Sequence, residues 1–220
     1  MLVVIGVTEK NRKKFLCLQR GDKESASTWR EIFKDLKARG MNADIKLGIM
    51  DGLTGLMKVF REEFTGAKIQ RCQVHVSRNV LSKVPKNKKE EVTDSLRNIF
   101  YASTRVKAKE EFDKFVDNYN KEMPSAVMCL SKVINECLTF YSFPKEEWVS
   151  LRTTNPIERV NKEFKRRTKS MEILAGENSA YRLLSFIALK MEINWRSSTL
   201  TSAKNKNLMI KGLNEFTQLN

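Results

Sequence analysis

The stretch DIKLGIMDG (residues 44–52) is a short apolar strand that ends at Asp51, where Gly52 begins a turn. Apolar residues at helical spacing follow it, and residues 67–76 (AKIQRCQVHV) repeat the order of strand and then helix. Upstream, LVVIGV and KKFLCLQ are joined by the polar TEKNRK, which predicts an antiparallel hairpin. Residues 1–84 therefore follow the order hairpin, helix, strand, helix, strand, helix, which is an α/β pattern.

After Pro85 the strand signal ends and helical spacing takes over. Three amphipathic helices are predicted in residues 85–150, and the third of them runs from Val127 to Tyr141. Two more helices close the chain, one starting at Pro156 and one carrying Trp195. We therefore predict a partial α/β core (1–84), a helical insertion (85–150), C-terminal helices that complete the core (151–196) and a polar tail (197–220).

The charge of the chain is its strongest compositional signal. The formal net charge is +15 and the sequence pI is about 9.7. A surface this basic favours polyanions, meaning nucleic acid or an acidic membrane, and nucleic acid is the better candidate because no apolar run approaches the roughly 20 residues that span a bilayer. Four scattered cysteines show no disulfide rhythm. We expect a cytoplasmic protein with reduced, mostly buried thiols and no membrane partner.

Asp51 has two interpretations on the sequence alone. Strand ends in α/β sheets are where sites are built, because a rigid strand fixes a side chain at the sheet edge. An aspartate before a glycine is equally typical of a turn or of a helix N-cap, here for a helix starting at Leu53. The second interpretation is favoured by this residue taken alone.

Glu158 lies in RTTNPIERVNKEFKRRTK (residues 152–169) and also has two interpretations. With Asn155 as N-cap and Pro156 at the first helical position, Glu158 could complete a capping box on a solvated charged helix. Alternatively, it is a metal-binding carboxylate that heads a basic surface, as phosphoryl transfer on DNA requires. The cations of that surface are Arg159, Lys162, Lys165, Arg166, Arg167 and Lys169.

Cys72 and His75 stand three residues apart where a strand turns into a helix. This spacing is at best half of a zinc site, and the other half would need Cys129 and Cys137, whose spacing is poor. We therefore expect these two side chains to serve packing and hydrogen bonding at the sheet edge.

Five segments in order resemble the mutator-type insertion-sequence transposases of bacteria: GVTE, ESASTWREIFKDLKARGM, IMDGLTGL, QRCQVHVSRNVLSKVP and TTNPIERVNKEFKRRTK. The resemblance runs from about Val4 to Trp195. It implies a ribonuclease-H-like core interrupted by a helical insertion, with an Asp-Asp-Glu site for two Mg²⁺ ions. It also implies that Asp51 and Glu158 are the second and third catalytic carboxylates and that transposon ends and target DNA are partners.

One departure from the family pattern concerns the first aspartate, which lies on the central strand just before the GV segment. No acidic residue precedes Glu9 in this sequence. We therefore expect an incomplete core that lacks this strand, and a truncated, catalytically incomplete copy that assembles with itself or with full-length transposase. The alternatives are a non-catalytic DNA-binding protein that modulates full-length transposase and, from charge alone, an RNA-binding helical protein.

Overall fold

A computed structural model of the chain describes residues 2–8, 12–19, 25–41, 44–169 and 176–198. Within these residues the fold is mixed α/β and mostly helical. The strands are β1 (Leu2–Val7), β2 (Lys13–Gln19), β3 (Leu47–Met50) and β4 (Lys68–Arg71). The helices are α1 (Ala26–Ala38), α2 (Thr54–Glu63), α3 (Gln73–Leu81), α4 (Lys89–Phe100), α5 (Arg105–Tyr119), α6 (Pro124–Ser131), α7 (Ile134–Cys137), α8 (Trp148–Leu151), α9 (Asn155–Thr168) and α10 (Glu177–Ser198).

The chain forms two compact units, one from Met1–Lys23 with Asn155–Asn220 and one from Glu24–Thr154. Each unit holds one two-stranded sheet among its described residues, β1–β2 antiparallel and β3–β4 parallel. The predicted hairpin is therefore confirmed. The ribonuclease-H-like core and the four predicted domain ranges stay predictions, and residues 199–220 of the predicted tail lie outside the described part.

The first unit has its own apolar core. Val160 and Phe164 of α9 pack with Ile187 and Ala188 of α10, as the helical spacing predicts. The hairpin covers this core, and the ring of Phe15 stacks on Trp195 at 5.0 Å between centroids. The main-chain N–H of Phe15 also donates to Glu192 at 2.8 Å. The hairpin and α10 therefore form one packed layer, although they are distant in sequence.

In the second unit, α1 and α2 pack beside β3 and β4. The buried face of α1 consists of apolar residues at helical spacing, namely Trp29, Ile32, Phe33 and Leu36. The helix ends at Ala38, and Gly40 follows its C-cap residue with a φ of +90°, which a glycine adopts without strain. Its N–H and that of Met41 donate to the carbonyls of Lys37 and Leu36, which is a Schellman motif.

The predicted third helix over residues 127–141 is wrong as a single helix. It breaks into α6, α7 and a short 3₁₀ segment, Thr139–Ser142. After α7, the buried amide of Gln70 on β4 accepts from the N–H of Phe140 at 2.9 Å and donates to the carbonyl of Cys137 at 2.9 Å. Gln73 donates to the same carbonyl at 3.0 Å. These bonds replace the helical ones and fasten the helices after Pro85 to the sheet.

Arg152 closes the second unit. Its carbonyl accepts from the N–H of Gln73 at 3.0 Å. Its buried guanidinium lies 4.8 Å from the ring centroids of both Tyr101 and Phe140. A desolvated cation between two rings is stabilised by their quadrupoles, so this contact helps fix the last residues of the unit on its helical core.

Candidate active site and nucleic-acid interface

Asp51 directly follows β3, as the sequence predicts. Met50 and Arg71 end the two parallel strands in register, and the N–H of Cys72 donates to the carbonyl of Met50 at 2.9 Å. Asp51 and Cys72 therefore lie at the same edge of the sheet. The N-cap interpretation of Asp51 is wrong, because Leu53 is the N-cap residue of α2. The Asp51 side chain is exposed and makes no hydrogen bond or ion pair with any described residue.

Arg71 packs on the turn that carries Asp51. Gly52 has a φ of +102°, and a Cβ built on it would overlap the guanidinium of Arg71. Nη2 of Arg71 donates to the carbonyl of Asp51 at 3.2 Å. Nη1 of Arg71 lies 3.8 Å from Oε2 of Glu136, and the other carboxylate oxygen of Glu136 accepts from Arg61 at 2.6 Å. The conformation of the turn therefore depends on Gly52 and on the largely buried guanidinium of Arg71.

Sequence reasoning missed Arg71 and Glu136. The signal for Arg71 is its place at the end of the strand beside Asp51, which becomes visible only when the register of the parallel pair is known. Glu136 lies more than sixty residues further along the chain, on α7. No local pattern connects it with the turn.

Cys72 is buried at the sheet edge, and its structural role stays a prediction. Its side chain is fully buried, and Sγ accepts from the N–H and hydroxyl of Thr154 at 3.4 and 3.3 Å. Within the described residues, Cys129 and Cys137 do not lie close enough to Cys72 and His75 to bind one metal ion together with them. Burial raises the pKa of Cys137 to about 12, so this thiol is protonated at neutral pH and is a poor metal ligand.

Glu158 lies in the first turn of α9, half-buried. The helix begins at Asn155, one residue before the predicted start, and the capping role of Asn155 stays a prediction. Beyond Glu158 the helix is basic. The predicted DNA-binding cations are all exposed, namely Arg159, Lys162, Lys165, Arg166 and Arg167 on the helix and Lys169 directly after it.

Two of these six cations, Arg166 and Arg167, form ion pairs with Glu163, which is not among the predicted site residues. Glu163 accepts from Arg166 through both carboxylate oxygens at 2.8 Å, and from Nε of Arg167 at 2.9 Å. These bonds hold the pKa of Glu163 down at about 2. The spacing i, i+3 and i+4 could have predicted both pairs. Arg159, Lys162, Lys165 and Lys169 have no ion pair within the described ranges, so they carry the available positive charge.

Comparison with known sequences decides the family. The family described as "Transposase, Mutator family" matches residues 1–198. The chain belongs to the mutator family of transposases. It is 38% identical over 195 residues to the transposase for insertion sequence element IST2 of Acidithiobacillus ferrooxidans, covering 89% of this chain and 66% of the relative.

Two further relatives of this mutator-family chain are transposases for insertion sequence elements. One is for IS6120 of Mycolicibacterium smegmatis, 34% identical over 201 residues, with 90% of this chain and 61% of the relative covered. The other is for IS256 in transposon Tn4001 of Staphylococcus aureus, 29% identical over 194 residues, with 88% and 50% covered. The chain thus spans about half to two thirds of the length of these relatives. In the described part of the chain, no helix has the length and apolarity needed to cross a bilayer.

Proposed function

We propose that this chain is part of a DNA transposase whose Asp51 and Glu158 are two of the carboxylates of an Asp-Asp-Glu site, and whose α9 binds the DNA backbone. The observation that carries the proposal is Asp51 itself. Its exposed carboxylate is held at a strand end by a glycine turn and Arg71, and it makes no hydrogen bond or ion pair with any described residue, so it is available to a ligand. The family to which the chain belongs supplies the reaction class, which is movement of a DNA segment.

The donor set fits Mg²⁺. Carboxylate oxygens are the ligands that this small, hard cation takes in proteins, and the Asp51 oxygens have no described partner that would compete. Bound Mg²⁺ would supply charge stabilisation for an in-line displacement at a DNA phosphate. The chain's own contribution is to hold Asp51 through Gly52 and Arg71, and to carry Glu158 in the first turn of a helix whose next turns bind phosphates.

The exposed cations of α9 support the DNA-binding half of the proposal. Lys162, Lys165 and Lys169 succeed one another at spacings of three and four, so they share one face of the helix. Cations that neutralise phosphates release condensed counterions, and the observed affinity for DNA then falls steeply with salt. We propose transposon ends and target DNA as partners, together with a second transposase copy.

The experiment that tests the proposal is a salt titration of DNA binding. We expect Lys162→Ala, Lys165→Ala and Lys169→Ala together to weaken binding and to make the slope of log K against log salt shallower by about 2 to 3. Lys58→Ala, Lys107→Ala and Lys109→Ala, all exposed in the second unit, remove the same charge and serve as the control. Equal effects of the two triple variants would contradict the assignment of DNA binding to α9.

Metal binding by the carboxylates is tested separately, with Mn²⁺ as a paramagnetic probe. Asp51→Asn and Glu158→Gln should each reduce the Mn²⁺ bound in an electron paramagnetic resonance titration. Asp113→Asn, an exposed aspartate on α5, should leave it unchanged. Binding that ignores Asp51 and Glu158 would contradict their role as ligands.

A DNA cleavage assay distinguishes an active transposase from the alternative, a non-catalytic DNA-binding protein. These 220 residues hold counterparts of two of the three carboxylates implied by the family resemblance. We therefore propose that a polypeptide of this sequence binds DNA in a salt-dependent way but neither cuts nor joins it in Mg²⁺, so that alone it acts as a DNA-binding protein. Mg²⁺-dependent strand transfer by the purified polypeptide would overturn this.

A further inference from the structure

A second basic surface lies in the Glu24–Thr154 unit, in a groove between α3 and α6. We call it the α3–α6 groove and define it by its polar lining: Arg71, Asn79, Lys83, Ser125, Cys129 and Lys132. Its volume is about 390 Å³. None of the site residues implied by the family resemblance, and none of the six cations on and beside α9, lines this groove.

The polar lining of the groove contains cations and neutral groups but no carboxylate. Lys83 and Lys132 are exposed and have no ion pair within the described residues. Arg71 contributes less, because it is largely buried and lies 3.8 Å from Glu136. The net potential in the groove is therefore positive and comes mainly from two lysines on opposite walls.

A second groove of the same unit is not purely basic, so the positive lining of the α3–α6 groove does not follow simply from the net charge of the chain. The groove between α4 and α5 is larger, about 570 Å³, and contains Arg97 and Lys107 together with Glu110 and Glu111. Arg97 also lies 3.8 Å from a carboxylate oxygen of Asp94. Its positive and negative groups offset one another, so charge distinguishes the α3–α6 groove from it.

We propose that the α3–α6 groove binds the sugar–phosphate backbone of DNA, as a contact additional to α9. This rests on the proposed DNA-binding function. Lysines and neutral donors such as Asn79 and Ser125 are the groups that contact phosphate oxygens without reading sequence. Met128 and other apolar side chains of the groove suit the sugar, and no aromatic side chain lines the groove to stack on a base. Backbone contact is therefore the mode that fits.

Cys129 lets the site be tested in the unaltered chain. It is half-exposed in the groove, whereas Cys72 and Cys137 are buried, and Cys17 on β2 is half-exposed and serves as an internal reference. We expect duplex DNA to slow the alkylation of Cys129 several-fold relative to Cys17, measured by peptide mass spectrometry after a short iodoacetamide pulse. An unchanged ratio overturns the proposal, and so does stronger protection by polyglutamate at equal charge concentration, which would assign the groove to an acidic protein.

A matched pair of variants tests the energetic contribution. Lys83→Ala with Lys132→Ala should weaken DNA binding several-fold and make the salt slope shallower by about 2. Arg97→Ala with Lys107→Ala removes the same net charge from the other groove and should leave the slope unchanged. Equal effects of the two pairs, or none from the first, overturn the proposal. DNA binding that depends on the α9 lysines alone would contradict only the assignment to the α3–α6 groove. A chain that binds no DNA at all would contradict the proposed function as well.

Discussion

At the scale of single residues, the turn after β3 depends on Gly52. Its φ of +102° costs a side chain about 1–2 kcal/mol, and a Cβ would also displace the Arg71 guanidinium from the turn. We expect Gly52→Ala to lower the free energy of unfolding in urea by about 2–3 kcal/mol. Gly66→Ala is the control, because a Cβ there meets no atom within 4 Å and its φ is not positive. Equal losses in the two variants would contradict the role of Arg71.

Glu163 offsets part of the positive charge of α9 through Arg166 and Arg167. Its pKa is lowered to about 2 by Arg166 and Arg167, so its stabilising contribution is present above the ordinary pKa of a glutamate and is lost as the pH falls through about 2. Glu163→Gln should therefore strengthen DNA binding, and the affinity ratio to wild type should stay constant between pH 7 and about 4.5. Glu31→Gln, exposed on α1, makes the same charge change as a control. A ratio that shrinks towards pH 5 would mean that Glu163 titrates like an ordinary glutamate.

At the scale of elements, the helices after Pro85 are fastened to β4 by one buried amide. Gln70→Leu keeps the volume but leaves the N–H of Phe140 without its acceptor, and we expect a loss of about 2–3 kcal/mol in the free energy of unfolding. Gln73→Leu should cost about 1 kcal/mol, because the carbonyl of Cys137 keeps its bond from Gln70. Urea denaturation of both variants checks the order. If Gln73→Leu costs as much as Gln70→Leu, the anchor is shared rather than centred on Gln70.

For these elements, the sequence predicts the features that depend on local patterns and not those that depend on long-range contacts. The buried faces of α1 and α9 follow from apolar spacing, and Asp51 follows from the end of an apolar run, because these signals are local. The end of helical geometry after α7 could not be predicted, since the side chain that bonds to Cys137 and Phe140 there is Gln70, more than sixty residues away. The spacing i, i+3 and i+4 is sufficient to predict the pairs of Glu163 with Arg166 and Arg167, because that signal is also local.

At the scale of the whole molecule, the two units differ in how the chain builds them. The Glu24–Thr154 unit is one contiguous stretch of about 130 residues, a length that supports an independent core. Its core joins α3 to α4, α5 and α6 through fully buried side chains such as Val80, Leu96, Phe115 and Leu130. The other unit needs two distant segments, because Phe15 stacks on Trp195 and Glu192 accepts from the hairpin.

A fragment of residues 24–154 should therefore fold alone, with helical circular dichroism and a single cooperative urea transition, because the described apolar core around Val80, Leu96, Phe115 and Leu130 belongs to the fragment. A fragment of residues 155–220 should show no cooperative transition, because removal of the hairpin exposes Val160, Phe164 and Ile187. Adding a peptide of residues 1–23 in trans should raise its helicity, since the peptide restores the stacking partner of Trp195. A non-cooperative 24–154 fragment would mean that the two units fold only as one.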